Sequence, residues 1–103
     1  MFRLICLVQT VPDADVDAIV DAARTMVGDE PRILRGEVMR GLGKMADVVD
    51  HASYSLVLDF ADEDDWSGYI AGQPHLTFHE YSIPFVRHIV VTQYELPDGQ
   101  APK

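Results

Sequence analysis

Two segments at opposite ends of this chain are apolar on both of the faces that a β-strand presents. In the first, residues 2–10, the strongly polar side chains are Arg3 and Gln9. In the last, residues 88–95, apolar side chains occupy both odd and even positions. Alternate residues of a strand point to opposite sides of the sheet, so a strand of this kind is buried on both faces. The fold must therefore supply a cover for each side of the sheet.

The pattern along the chain predicts four strands and two helical regions. The strands are expected at residues 2–10, 32–40, 54–60 and 88–95. The first helix is expected to run from an N-cap at Asp13 to about Val27. The second region follows four acids at residues 62–65, which suit the positive end of a helix dipole. It is broken at residues 72–74 and ends before Pro84, which a regular helix does not accommodate.

The order strand, helix, strand, strand, helix, strand predicts the α+β class. It is the ferredoxin-like βαββαβ arrangement, a four-stranded antiparallel sheet with its helices on one face. Gly36 is expected to mark a bulge or bend in the second strand. Two helices cannot cover both faces, so we predict a homodimer in which two sheets close into one barrel. Residues 1–96 form this domain, and residues 97–103 are predicted to be an extended or disordered tail.

Composition narrows the partners and the compartment. A chain of 103 residues forms one domain, and 17 acidic against 8 basic residues give a net charge of -9. Nucleic acid and anionic membrane surfaces would be repelled, so neither is an expected partner. The single cysteine, Cys6, excludes an intrachain disulfide, and no apolar run approaches the about 20 residues of a membrane span. The expected compartment is the cytoplasm.

Tyr69 and His75 are the most informative residues for chemistry, because the predicted break between them would fold one ring back over the other. A histidine near its ordinary pKa of about 6.5 can take a proton from carbon next to a carbonyl group at neutral pH. A phenol can donate a hydrogen bond to the oxygen as it becomes negative. The alternative interpretation is structural, with a half-buried aromatic residue and a histidine that orders the turn. A metal site at His75 and His79 lacks a third ligand at a telling spacing, so neither a metal nor another cofactor is predicted.

Three features resemble the stress-responsive A/B barrel (Dabb) proteins: the opening strand, the spacing of Tyr69 and His75 with a proline before the histidine, and the closing Gln93-Tyr94-Glu95-Leu96-Pro97. The resemblance implies a dimeric α+β barrel. Dabb proteins are functionally mixed, and some are plant stress proteins without an assigned reaction. One, olivetolic acid cyclase, closes a linear polyketide by an aldol condensation without a cofactor. Tyr69 and His75 match its catalytic pair, which implies acid-base roles for both.

Further substrate contacts are expected around the same cavity. By register, Arg3 and Tyr54 stand at the positions of two further cavity histidines of the cyclase, and Arg3 is expected to attract a carboxylate or enolate. The apolar lining is predicted to consist of Ile5, Leu7, Leu56, Leu76, Val86, Ile89 and Val91.

These features together predict a cofactor-independent enzyme that acts on a small hydrophobic carbonyl compound. The reaction would be a polyketide-type cyclisation, an isomerisation or a lactone rearrangement, with His75 as base or acid and Tyr69 as the hydrogen-bond donor. One alternative is a non-catalytic, stress-responsive or ligand-binding dimeric barrel, and a second is a cofactor-free oxygenase. A ligand-sized cavity that contains Tyr69 and His75 favours the enzyme, whereas a barrel filled by side chains favours the non-catalytic protein.

Overall fold

The computed structural model describes residues 1–97, which form four strands, three α-helices and one 3-10 turn. In chain order these are β1 (Phe2–Thr10), α1 (Val16–Asp29), β2 (Arg35–Arg40), β3 (Tyr54–Phe60), α2 (Glu63–Ala71), α3 (Gln73–Ser82), the 3-10 turn (Ile83–Phe85) and β4 (Val86–Glu95). The strands form one antiparallel sheet in the order β2-β3-β1-β4. The predicted α+β class and ferredoxin-like arrangement are confirmed. The predicted tail at 97–103 lies outside the described residues, except for Pro97.

The predicted start of α1 was wrong by two residues, because the N-cap is Asp15 and not Asp13. The N–H of Ala14 donates to the carbonyl of Val11 across 3.1 Å, so Asp13 lies inside a tight turn. Asp15 is the N-cap instead, and its Oδ1 accepts a hydrogen bond from the N–H of Ala18 at 3.1 Å. The helix then continues through Gly28.

The predicted start of β2 was also too early, because residues 30–33 form a turn after α1. The N–H of Ile33 donates to the carbonyl of Glu30 at 3.2 Å. Gly36 is not a bulge, since it pairs in regular register with Leu58 on β3. A Cβ at Gly36 would lie 2.6 Å from Cγ1 of Val27, so glycine is needed there for the close approach of α1.

The break between α2 and α3 lies where the sequence predicted it, but α3 begins at Gln73 rather than His75. The N–H groups of the first helical turn have no acceptor within the helix. Proline, which lacks an N–H, therefore costs no hydrogen bond at the second helical position and belongs to the helix. α3 ends at Ser82, before Pro84, as predicted. β4 begins at Val86 rather than His88.

One core lies between the sheet and the helices. The even-numbered residues of β1 and β3 face α1 and α2, as their burial shows. The buried apolar side chains are Phe2, Leu4, Val8, Ile19, Val20, Ala23, Met26, Val38, Tyr54, Leu56, Leu58, Phe60 and Tyr69.

The opposite face of the sheet is open in the single chain. Leu7 pairs with Val90 at its centre, and these side chains are 45% and 53% exposed. β4 is an edge strand and is exposed on its helix side too, where Ile89 and Val91 lie. The end strands are therefore apolar on both faces without being covered on both by their own chain.

Candidate functional site

The connection between α2 and α3 brings Tyr69 and His75 together. Asp62 caps α2 by accepting a hydrogen bond from the N–H of Asp65 at 2.9 Å, as the acidic run predicted. Gly72 ends α2 and is the N-cap of α3. A Cβ at Gly72 would lie 3.1 Å from Oε1 of the buried Glu30, so the chain can pass closely there. The two ring centroids are 4.9 Å apart, as the predicted fold-back requires.

Tyr69 points into the core on the helix side of the sheet. Its hydroxyl donates to the thioether sulfur of Met26 at 3.6 Å, which is a weak acceptor. Its ring packs against Phe60 with centroids 5.3 Å apart. Burial raises the pKa of Tyr69 well above its ordinary value, so the phenol stays protonated and remains a donor.

His75 is half-buried and has one ring nitrogen committed. Its Nδ1 lies 2.9 Å from the carbonyl oxygen of Ile70, and only a protonated Nδ1 can donate to a carbonyl. Within residues 1–97, Nε2 has no hydrogen-bond partner, so its lone pair is available. Burial lowers the pKa of His75, the bond to Ile70 opposes that effect, and nearby His79 adds to it. The net shift favours the neutral imidazole, which is the form a base requires.

An apolar groove of about 640 Å³ lies between α1 and α3, beside this pair. Met26, Pro74, Phe78 and Tyr81 are among the residues that line it. Met26 also contacts the hydroxyl of Tyr69, so its side chain separates the groove from the phenol. Neither ring of the pair lines the groove itself. Access from the groove to Tyr69 therefore requires the flexible Met26 side chain to move aside.

The predicted cavity residues are divided between the two faces of the sheet. Tyr54 and Leu56 are buried on the helix side, and burial raises the pKa of Tyr54 to about 12. Ile89 and Val91 share that side by register but are exposed. Val86 packs against the core at the start of β4.

The other predicted lining residues lie away from the ring pair. Ile5 and Leu7 face the open side of the sheet, opposite to Tyr69. Leu76 lies on α3 and is exposed. The predicted residues therefore do not surround one chamber, and their roles in substrate binding stay predictions.

Arg3 also lies on the open face, where Asp59 engages it. Its Nε and Nη2 donate to the two carboxylate oxygens of Asp59 at 2.7 and 2.9 Å. These bonds, with a further one to Tyr94, raise the pKa of Arg3. The neighbour of Arg3 on β1 that does face the helices is Phe2, whose ring packs against Trp66. A shift of one residue moves every side chain of a strand to the other face, so the structure does not bring Arg3 to the ring pair.

Two residues near the pair were missed in the sequence. Met26 stands three residues after Ala23 and seven after Ile19, on the same helical stripe, so the periodicity contained the signal. Cys6, on β1, lies close enough to Tyr69 to affect the ionisation of the phenol, and no motif in the sequence indicated this. Burial raises the pKa of Cys6 to about 11, so it is a thiol and not a nucleophilic thiolate at neutral pH.

Metal ligands do not cluster in the described part of the chain. The rings of His75 and His79 lie 5.9 Å apart, centroid to centroid. In residues 1–97 no group of three or more His, Cys, Asp or Glu side chains is arranged to hold a metal ion. Over the same residues, no helix is long and apolar enough to span a membrane.

Neither a protein-family model nor a curated protein matches the chain, whereas solved structures match its fold. A dimeric ferredoxin-like protein of unknown function from Thermobifida fusca has a TM-score of 0.81 at 19% identity, over 92% of this chain and 90% of that one. A hydroxynitrile lyase from Passiflora edulis has a TM-score of 0.79 at 17% identity, over 97% and 96%. A Dabb family protein from Mesorhizobium loti has a TM-score of 0.75 at 16% identity, over 95% and 97%.

The chain has the ferredoxin-like fold. At these identities the likeness concerns the fold and not the activity. The resemblance to the Dabb proteins is supported at this level, because a Dabb protein has the same ferredoxin-like fold over nearly its whole length.

Proposed function

We propose that this ferredoxin-like protein is a homodimeric, cofactor-independent enzyme that moves a proton at carbon next to a carbonyl group of a small hydrophobic compound. The observation that carries the proposal is the close pair of Tyr69 and His75, with ring centroids 4.9 Å apart, beside an apolar groove. The histidine is held neutral with Nε2 unengaged, and the phenol is held protonated against a weak acceptor. A base and a donor in these states suit enolate formation.

In the first step, Nε2 of His75 removes the proton from carbon and the electron pair of the C–H bond moves onto the carbonyl oxygen. Tyr69 donates a hydrogen bond to the enolate oxygen once Met26 has moved aside. The enolate carbon then attacks a second carbonyl carbon of the same molecule. The imidazolium returns its proton to the alkoxide that this attack creates, which restores the neutral base.

The substrate class follows from the groove, whose apolar lining matches a hydrophobic molecule of small size. Polyketide-type cyclisation, isomerisation and lactone rearrangement all begin with the same enolate. A hydroxynitrile lyase has a similar fold, which supports a lyase reaction as a further candidate for this protein. Cytoplasmic location belongs to the same proposal.

Proton exchange tests the base without knowledge of the natural substrate. In D2O, NMR would follow deuterium incorporation at the carbon between the two carbonyls of an apolar 1,3-diketone. The native protein should accelerate the exchange, and His75→Gln should reduce the rate about 100-fold or more, the usual contribution of a general base. Tyr69→Phe should reduce it less. His51→Gln is the matched control, since His51 is an exposed histidine in the loop before β3 and lines neither the groove nor the ring pair.

A ligand-binding protein without catalysis is the second candidate. It is favoured by the burial of Tyr69, which is 3% exposed, with Met26 standing between its hydroxyl and the groove. Saturable binding of the diketone with no exchange above the control would support this candidate. Substrate-dependent oxygen consumption would instead support the cofactor-free oxygenase.

The homodimer is supported by the exposed apolar centre of the open sheet face and by the dimeric protein of similar fold. Sedimentation equilibrium should give about twice the 11.5 kDa chain mass. Leu7→Lys should shift the mass towards one chain, because it places a charge in the centre of that face. Leu42→Lys, in an exposed loop, should not. A native mass of one chain would overturn the dimer but not the proton-transfer proposal.

A further inference from the structure

A second pocket, of about 450 Å³, lies at the end of the sheet where β1 and β2 finish and β3 and β4 begin. It shares no lining residue with the groove between α1 and α3 and does not include Tyr69 or His75. The lining residues that matter to its chemistry are Thr10, Arg40, Gly43, His51, Ser53 and Arg87.

The charge of this pocket is opposite to that of the protein. The chain carries 17 acids against 8 bases, yet two of those bases line the pocket together with a histidine. None of the described residues that line it is an aspartate or a glutamate. Such a local exception in a protein of net charge -9 concentrates positive potential where the rest of the surface repels anions.

The donors of this pocket are available to a ligand. In the part of the chain that the structure describes, the guanidinium of Arg87 has no carboxylate partner. Arg40 pairs with Asp17 through one nitrogen, Nη1, at 2.6 Å. Both side chains of that pair are largely exposed, so the pair is weak and the other N–H groups of Arg40 remain.

The backbone places Arg87 in this pocket by an irregularity of the sheet. Gln9 pairs with His88 and Thr10 pairs with Val86, so Arg87 has no partner on β1. It is the extra residue of a β-bulge. Bulges re-aim a side chain at the cost of regular pairing, and here the side chain concerned is the unpaired arginine.

The rest of the wall is built from a glycine loop and a hydroxyl pair. Gly43 has φ of 66°, in the left-handed region, and the ring of His51 lies 3.6 Å from the position that its Cβ would occupy. The hydroxyls of Thr10 and Ser53 are hydrogen-bonded to each other at 3.0 Å. Glycine therefore permits the turn of the loop, and the His51 ring lies beside it at ordinary contact distance.

We propose that this pocket binds a small oxyanion, the phosphate or carboxylate group of a small molecule, between Arg40 and Arg87. Two planar guanidinium groups supply forked donors that match the oxygens of either group. The Thr10 and Ser53 hydroxyls and the His51 ring complete the polar wall. This site is independent of the pair of Tyr69 and His75.

Titrations with inorganic phosphate and with succinate, at constant ionic strength, test the site by amide NMR. Saturable shifts confined to the loop at 41–53 and the start of β4 are expected with at least one of the two anions. Saturation by phosphate alone assigns a phosphoryl ligand, and saturation by succinate alone assigns a carboxylate. Arg87→Gln should weaken binding about tenfold or more, the usual effect of losing a charged hydrogen bond.

Arg35→Gln is the matched control, because Arg35 is an exposed arginine of the same sheet that pairs with Glu37. It should bind the anion as the native protein does. The proposal is overturned if neither anion saturates at tens of millimolar. It is equally overturned if Arg87→Gln binds as tightly as Arg35→Gln, or if the shifts are spread over the whole surface.

Discussion

The ion pair of Arg3 and Asp59 makes the sharpest prediction about stability. Arg3→Met would remove the two hydrogen bonds that the guanidinium donates to Asp59. The carboxylate of Asp59, which is 2% exposed, would then have no charged partner. Removal of one partner from a buried pair costs about 3–5 kcal/mol, because the remaining charge is buried and uncompensated. In a domain of this size, about 1 kcal/mol shifts Tm by about 4–8 °C, so Tm should fall by at least about 12 °C.

Urea denaturation at one fixed protein concentration would measure this loss, since the stability of a dimer depends on concentration. Arg35→Met is the control on the same face, where Arg35 and Glu37 are 55% and 45% exposed and their pair is worth about 0–1 kcal/mol. The double variant with Asp59→Asn should lose less than the two single losses added together. If Arg3→Met destabilised the protein no more than Arg35→Met does, the argument from burial would be refuted.

Three further predictions concern packing, pH and capping. Gly36→Ala should lower the free energy of unfolding by about 1–3 kcal/mol, because the new methyl group would lie 2.6 Å from Val27 and 3.2 Å from Leu58. Adding Val27→Ala should restore part of that free energy in denaturant titrations. Burial lowers the pKa of His75, so below a pH of about 6.5 the unfolded chain binds more protons and the free energy of unfolding should fall. In His75→Gln the free energy of unfolding should fall less over the same pH range. If the variant and the native protein had the same pH profile, the lowered pKa of His75 would be contradicted. Asp62→Ala removes the acceptor at the start of α2 and should cost about 0.5–2 kcal/mol by thermal unfolding.

The sequence by itself determined the elements and the meeting of Tyr69 with His75. The strands at 2–10 and 54–60 have the predicted bounds, since their composition and their boundaries are local properties. The break at Gly72 and Pro74 is local as well, so the two rings were predictable from their spacing. The start of α1 could not be predicted from the sequence, because Asp13 and Asp15 are equally good N-caps. The turn after Val11 decided between them.

Only the tertiary structure decided which face of β1 meets the helices. A strand with one fully polar side shows its orientation in the sequence. β1 has Arg3 and Gln9 on one side, but Ile5 and Leu7 share that side, so both sides of the strand are suited to burial. Pairing with β3 and packing under the helices put Phe2 on the helix side and Arg3 on the open side. Arg3 and Asp59 are 56 residues apart, and contacts at such separations depend on strand register, which no local pattern specifies.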